Sequence, residues 1–146
     1  MRSSWMLVMG LAGCGGAYCG DALQVGYDQA AFTPYCSGDA LIIEQSSGGY
    51  GLPLSLQMRG VDGSTGANGV FRLTVGAEPT QDGFGGLVLS DQGDGSWSSN
   101  TFFPLQEQTA EEVGALDGVD VQFAVVVTDG AGTSLETILD LVAQAP

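Results

Sequence analysis

Two residue types that carry much of protein chemistry are missing from this chain of 146 residues, which has no lysine and no histidine. Its only cations are Arg2, Arg59 and Arg72, against 17 acidic residues, and the formal net charge is −14. Without histidine there is no Ser-His-Asp triad, Cys-His pair or imidazole metal ligand. Without lysine the chain cannot form a Schiff base and has no P-loop lysine to bind a nucleotide phosphate. Nucleic acid is excluded as a partner, because binding phosphates requires basic side chains.

Charge of both signs is scarce, whereas glycine is abundant. Charged residues make up 14% of the chain, against about 25% in a typical soluble domain. The 24 glycines and five prolines together stay below the share of roughly 25–30% that marks low-complexity or disordered chains. The composition therefore predicts one folded domain that is rich in turns.

The N-terminal segment has the layout of a secretory signal peptide. A positive charge at Arg2 precedes the apolar run of residues 5–12, and small residues follow. The run is too short for a transmembrane helix, which needs ~20 apolar residues. The alternative is a buried helix or strand, but Cys14-Gly15-Gly16 directly after the run breaks a helix and offers no packing partner.

The motif Leu11-Ala12-Gly13-Cys14 resembles the lipobox of bacterial lipoprotein precursors. The resemblance covers the N-terminus alone. It implies that residues 1–13 are cleaved, that Cys14 carries acyl chains, and that Leu11, Ala12 and Gly13 are recognition positions. Several acyl chains give lasting membrane attachment where one is marginal. Since Gly15 is not the Asp of an inner-membrane retention signal, the resemblance implies secretion across the inner membrane and anchoring at the outer membrane or cell surface.

If Cys14 carries lipid, Cys19 and Cys36 remain as a pair in an oxidising compartment, where disulfides form. A bridge between them would restrain the unfolded chain by about 3 kcal/mol. It would staple the polar segment that we predict as a tether, residues 14–39. Two reduced thiols are the alternative. A metal site is disfavoured because no third or fourth nitrogen or sulfur ligand exists, and the pair lacks the CxxC spacing of redox enzymes.

From residue 40 onward, short apolar runs separated by glycine-rich turns predict β-strands. The clearest period of two places four side chains on one face: Leu52, Leu54, Leu56 and Met58. Further strands are predicted over residues 41–43, 70–75, 84–90, 97–103 and 119–127. In the last of these, a second apolar stripe of Ala124 and Val126 predicts a central strand that is buried on both sides.

Turn and cap signals divide these strands. Asp-Gly and Asn-Gly pairs predict turns within residues 62–69, and residues 91–95 predict a hairpin between the strands on either side. Thr109 and Glu112 have the spacing of a capping box, which predicts a single helical turn. Residues 133–143 fit a helix or a strand, and the four-residue turn before them favours a strand in a hairpin.

About seven strands within residues 40–146 predict an all-β domain, an antiparallel β-sandwich. The stretch Phe102-Phe103-Pro104-Leu105, a loop ending in Leu116-Asp117-Gly118, and the strand at Val121 resemble the E strand, E–F loop and F strand of bacterial immunoglobulin-like or fibronectin-III-like domains. The resemblance implies an immunoglobulin-like architecture. The chain departs from the immunoglobulin pattern because it has no tyrosine near the start of the last of these strands. A shared fold does not by itself indicate a function.

Asp91 and Asp94 are the candidate metal ligands, because they lie in a glycine-rich turn and Ca²⁺ binds several hard oxygens. They occupy positions 1 and 4, whereas the EF-hand pattern needs acids at 1, 3 and 5. The run Gly48-Gly49-Tyr50-Gly51 starts like a calcium β-roll repeat, but Pro53 stands where an aspartate is needed. The alternative is that Asp-Gly simply forms a turn.

Other chemistry has weaker signals. Carboxylate-pair catalysis is formally open, but no pair stands out by spacing. Residues 62–66 lack the first glycine of a nucleophile elbow, and the chain lacks its histidine. Four aromatic residues are candidates for binding glycans or peptides, or else belong to the core: Tyr50, Trp97, Phe102 and Phe103. Arg59 and Arg72 either pair with acids or line a patch.

Together these features predict a lipid-anchored extracytoplasmic binding or structural module without catalytic activity and without a cofactor. Its partners are the membrane, through the acyl chains on Cys14, and a protein or glycan. A calcium-dependent adhesion or carbohydrate-binding module is the alternative. A small hydrolase that uses a carboxylate pair is the third hypothesis.

Overall fold

The computed structural model describes residues 17–76 and 81–146. The predicted signal peptide, its recognition residues Leu11, Ala12 and Gly13, and the predicted lipidation site Cys14 lie outside this part. The described chain is nearly all β, with ten strands and one α-helix. The strands are β1 Leu23–Tyr27, β2 Ala40–Ile42, β3 Glu44–Ser46, β4 Gly49–Arg59, β5 Ala67–Val75, β6 Gln81–Leu87, β7 Ser90–Asp91, β8 Ser96–Pro104, β9 Asp120–Asp129 and β10 Ser134–Gln144. Three of them have only two or three residues, and the count exceeds the predicted seven.

The strands form two five-stranded sheets. In sheet I the order is β1-β4-β8-β7, and β3 also pairs with β4. In sheet II the order is β2-β10-β9-β5-β6. Neighbouring strands are antiparallel except β2 and β10, which are parallel. The prediction of an all-β chain with antiparallel sheets is confirmed.

One hydrophobic core draws on both sheets. The four predicted core side chains of β4 are at most 1% exposed, as the period of two requires. Phe103 of sheet I contacts Phe71 and Phe123 of sheet II, with ring centroids 6.1 and 5.8 Å apart. Such aromatic pairs add about 0.5–1.5 kcal/mol to the effect of burial. The Thr137 hydroxyl of β10 also donates a hydrogen bond to the Leu23 carbonyl of β1.

Two local predictions are confirmed. The segment predicted as a strand over residues 133–143 is strand β10, Ser134–Gln144, which forms an antiparallel hairpin with β9. Thr109 and Glu112 form the capping box of helix α1, Ala110–Gly114, in which each side chain accepts the other residue's backbone N–H. The cap satisfies N–H groups that the first helical turn leaves unpaired. No helix within the described ranges is long and apolar enough to span a membrane.

The predicted tether of residues 14–39 extends too far toward the C-terminus. Its residues 23–27 form β1, which pairs along β4, and Leu23 and Val25 are at most 1% exposed. The folded domain therefore begins well before residue 40. The prediction failed because the residues on either side of β1 in the sequence are polar and loop-like. The strand forms by pairing with β4, which lies some thirty residues away in the chain. The predicted partners Cys19 and Cys36 do lie with their sulfurs at disulfide-bonding distance.

A predicted hairpin is wrong because its two strands belong to different sheets, and a predicted turn is wrong as well. The strands over residues 84–90 and 97–103 do not form a hairpin, since β6 pairs with β5 and only the short β7 pairs with β8. Asn68-Gly69 is not a turn but part of β5. Strand β9 is central in sheet II, yet only one of its faces is buried, because Ala124 and Val126 on the other face are half-exposed.

Candidate functional site

The two candidate calcium ligands lie in one turn, and bonds within the protein already engage both carboxylates. Asp91 Oδ1 accepts the Gly93 N–H at 2.8 Å. Asp94 Oδ1 accepts the Ser96 hydroxyl and N–H, and its Oδ2 lies 3.2 Å from Arg59 Nη2. The Ser96 hydrogen bonds, ahead of the Arg59 charge, hold the pKa of Asp94 below its ordinary value. Within the described residues, no three acidic, cysteine or histidine side chains gather as a metal site.

Of the four aromatic candidates, one is exposed. Tyr50 and Phe103 belong to the core, and Trp97 packs against it. Phe102 is 39% exposed on the opposite side of β8. The most exposed ring of the described chain is one that the sequence did not indicate, Phe84 of β6, at 81%.

Phe84 lies at one end of a row of apolar side chains on the outer face of sheet II, the face turned away from the core. The strand register places Phe84 opposite Val70, and Val70 opposite Val126. In the adjacent row, Ala124 lies opposite Ile138. Val70 and Ile138 are 44% and 45% exposed. We call these five residues the apolar strip.

Acidic residues border the apolar strip. Asp82 and Arg72 form an ion pair beside it, with Oδ1 and Nε 2.7 Å apart. The Arg72 hydrogen bond holds the pKa of Asp82 below its ordinary value. Because the pair is exposed, it contributes little to stability. Glu136 and Asp140 are exposed on the same face. Since the other arginine of the described chain is also paired, this border presents acids without a free cation.

The free side of β6 opens onto a cleft between the two sheets. Phe71 and Phe103 form its floor, and the exposed rings of Phe84 and Phe102 form its rim. Its volume is about 190 Å³, of the order of one large apolar side chain. We call this feature the edge cleft.

Glycines of β6 create the edge cleft. A Cβ at Gly83 would come within 2.9 Å of the aromatic floor, whereas a Cβ at Gly85, two residues along the same side of the strand, would meet nothing within 4 Å. The Gln81 side chain joins the start of β6 to the chain at the end of β8. It donates to the Pro104 carbonyl at 2.6 Å and accepts the Gln106 N–H at 3.0 Å.

A larger concavity of about 570 Å³ lies at the other end of the outer face, lined in part by Asp120 and Asp140. These two residues are diagonal neighbours across β9 and β10, a carboxylate pair that sequence spacing did not reveal. Both are exposed to solvent, whereas the general acid of a glycosidase lies in an apolar pocket. This carboxylate pair therefore gives no support to the hypothesis of a hydrolase.

Asp129 has a structural role at one end of the molecule. Its carboxylate accepts the backbone N–H groups of Asp62, Ala131 and Thr133 at 2.9–3.0 Å. These hydrogen bonds, those from Asp62 and Thr133 foremost, hold the pKa of Asp129 below its ordinary value. The carboxylate thus joins the loop after β4 of sheet I to the β9–β10 turn of sheet II.

No protein-family model matches the chain, and no curated protein is significantly similar to it.

Proposed function

We propose that the chain is a lipid-anchored, extracytoplasmic binding module without catalytic activity. The apolar strip carries this proposal, because it exposes aliphatic side chains across sheet II and an aromatic ring at the β6 edge of an otherwise acidic protein. Exposed contiguous apolar surface on a soluble domain marks an interaction site more often than chance. A flat strip favours a protein partner, since small substrates bind in enclosed pockets with converging polar groups.

We further infer that the two sheets form an immunoglobulin-like β-sandwich. The order β1-β4-β8-β7 corresponds to the A-B-E-D sheet of such domains, and β10-β9-β5-β6 corresponds to G-F-C-C′. The contacts of Phe103 with Phe71 and Phe123 across the sheets support face-to-face packing. The chain departs from the family in lacking a tyrosine corner and a disulfide between the B and F strands.

The lipid anchor rests on Cys14 and its lipobox. With only three arginines against 17 acids, the chain is repelled by anionic head groups, so acyl chains rather than electrostatics would hold it at the membrane. The bonded pair Cys19–Cys36 supports an oxidising, extracytoplasmic compartment. The absence of an aspartate at residue 15 favours the outer membrane or cell surface.

Calcium-dependent adhesion has less support than binding through the apolar strip. Ca²⁺ takes six to eight oxygen ligands, and the Asp94 carboxylate is already engaged by Arg59 and Ser96. Binding of Ca²⁺ in this turn would require the salt bridge to open.

Metabolic labelling tests the anchor. Cells that produce the full chain are given labelled palmitate, and the label is followed into the protein and into the membrane fraction. We expect wild type to be labelled and Cys14→Ser to be unlabelled and released from membranes, with Cys36→Ser as the control that keeps its label. Labelled, membrane-bound Cys14→Ser would refute the anchor.

Native gel electrophoresis of detergent-solubilised membranes tests binding through the apolar strip. We expect wild type to migrate in a complex larger than the mature, lipidated chain alone. The double variant Val70→Ser/Ile138→Ser is expected to migrate alone, and Asn100→Ser on sheet I is expected to behave like wild type. If all three proteins migrate alike, the strip is not a binding surface.

A further inference from the structure

The free edges of the two sheets differ in how well they are protected. Natural proteins blunt edge strands by keeping them short, covering them, or placing charges and prolines on them. The β1 edge is covered, since Pro34 bridges to Gly26 and the Tyr35 N–H donates to the Val25 carbonyl at 2.7 Å. Strands β2, β3 and β7 have two or three residues. The unpaired stretch of β10, residues 134–139, carries the charged Glu136.

Within residues 17–76 and 81–146, strand β6 has none of these protections. It has seven residues and no proline, and no described strand pairs with its outer side. Its one charge, Asp82, is neutralised by Arg72. A seven-residue edge can pair with an incoming extended segment through a row of backbone N–H and carbonyl groups.

The edge cleft supplies the side-chain pocket that such pairing needs. In strand addition, backbone hydrogen bonds give affinity and pockets for alternate side chains give specificity. Gly85 leaves space on the inner side of β6, and the floor below it is the aromatic pair Phe71 and Phe103. A single large apolar side chain of an added strand fits a cleft of about 190 Å³.

The negative charge of the chain indicates which kind of segment binds at the β6 edge. The two arginines of the described chain are both engaged in ion pairs, whereas the whole chain carries a formal charge of −14. A basic segment gains from this field, and its approach is steered by it. A second copy of the chain would bring the same negative charge to the edge, so self-pairing is disfavoured.

We propose that the free edge of β6 binds an extended basic segment of a partner protein as an additional strand of sheet II, with one apolar side chain of that segment in the edge cleft. This inference rests on the proposed binding function and specifies the partner's chemistry. The added strand would extend sheet II beside Phe84, so the partner would also contact the apolar strip.

A peptide selection tests the proposal. A displayed library of random nine-residue peptides is selected against the full-length protein, purified as its host produces it. We expect enriched peptides in which apolar residues alternate with other residues and in which lysine or arginine is frequent. Synthetic versions with N-methyl groups on alternate residues should lose binding in one register and keep it in the other, because strand addition uses every second N–H.

Two glycine variants with the same charge change locate the peptide. Gly85→Lys places a long side chain in the edge cleft and a charge on the inner side of an edge strand. Gly114→Lys, in α1, also meets no atom within 4 Å of its Cβ and is the matched control. We expect Gly85→Lys to weaken the enriched peptides at least about tenfold and Gly114→Lys to leave their affinity unchanged, with both variants melting like wild type.

Three results would overturn the proposal: no peptide is enriched, enriched peptides bind Gly85→Lys as tightly as Gly114→Lys, or N-methylation has no register dependence. A concentration-dependent dimer that Gly85→Lys abolishes would instead assign the edge to a second copy. These failures are distinguishable from failure of the binding function itself, because palmitate labelling of Cys14 and the complex lost in Val70→Ser/Ile138→Ser do not depend on Gly85.

Discussion

The outer faces of the two sheets differ although their inner faces bury the same kind of core. On sheet I, the central cross-strand partners Gln57 and Ser98 are polar, and the Ser55 hydroxyl donates to Asn100 Oδ1 at 3.0 Å. On sheet II, the partners in the middle of the sheet are Val70 and Val126. The outer face of sheet I is polar apart from Phe102 and its partner Pro53. Since a largely polar outer face is compatible with this core, folding does not require an apolar one. This difference is the basis of our proposal that the outer face of sheet II contacts another molecule.

The two faces of β9 give the largest contrast in stability. Phe123→Ala removes a fully buried ring that contacts Phe71 and Phe103, and we expect a loss of about 3–5 kcal/mol in the free energy of unfolding. Val126→Ala, on the outer face, is expected to cost less than about 1 kcal/mol. Equilibrium unfolding in denaturant measures both. Similar losses would mean that β9 is buried on both faces.

The disulfide links the segment before β1 of sheet I to the segment before β2 of sheet II. We expect Cys19→Ala/Cys36→Ala to lower the free energy of unfolding by about 3 kcal/mol, the loop-closure value for this spacing. A reducing agent should lower the stability of wild type by a similar amount and leave the double variant unchanged. If reduction does not affect wild type, the bridge contributes nothing to the junction between the sheets.

Asp129 forms a second junction between the sheets, from the β9–β10 turn to the loop after β4. Its carboxylate gives that junction a pH dependence. Its pKa lies below the ordinary 3.8 when the protein is folded. The carboxylate therefore contributes stability above its unfolded pKa, and this contribution is lost as pH falls through the folded pKa. We expect the free energy of unfolding of wild type to fall on acidification below about pH 5.

The variant Asp129→Asn isolates this contribution. It should be less stable than wild type at pH 7, and its stability should fall less steeply with acid because one titrating group is gone. Thermal unfolding at pH 7, 5 and 3 measures both effects. Parallel pH profiles for the two proteins would show that other carboxylates account for the acid sensitivity.

The apolar strip should matter little for stability. We expect Val70→Ser and Ile138→Ser each to change the free energy of unfolding by less than about 0.5 kcal/mol, as for exposed positions. Leu73→Ser, also on β5 but only 4% exposed, is the control with a loss of several kcal/mol. A comparable loss at Val70 would mean that the strip serves the fold.

What the sequence predicts well is local. The period of two in β4, the Thr109–Glu112 cap and the β9–β10 hairpin depend on residues close together in the chain, and all three are as expected. The pairings of β1 with β4 and of β8 with β4 span long stretches of chain, and no local pattern specifies them.

The candidate site was harder to predict for the same reason. The stripe of Ala124 and Val126 is visible in the sequence, but a continuous apolar run looks alike whether one or both faces are covered. Phe102 and Trp97 are both aromatic residues of β8. Only the structure shows that one lies on the outer face and the other packs over Gly63 at the core. Phe84 lies among glycines, where no periodicity indicates its face.

Photo-crosslinking in the producing cells tests the claim about the two outer faces most directly. A photoreactive residue is placed at Ile138 on sheet II or at Asn100 on sheet I, both exposed, and membranes are analysed after irradiation. We expect a discrete crosslinked species from Ile138 and none from Asn100. Equal yields from the two positions, or a product from Asn100 alone, would contradict it.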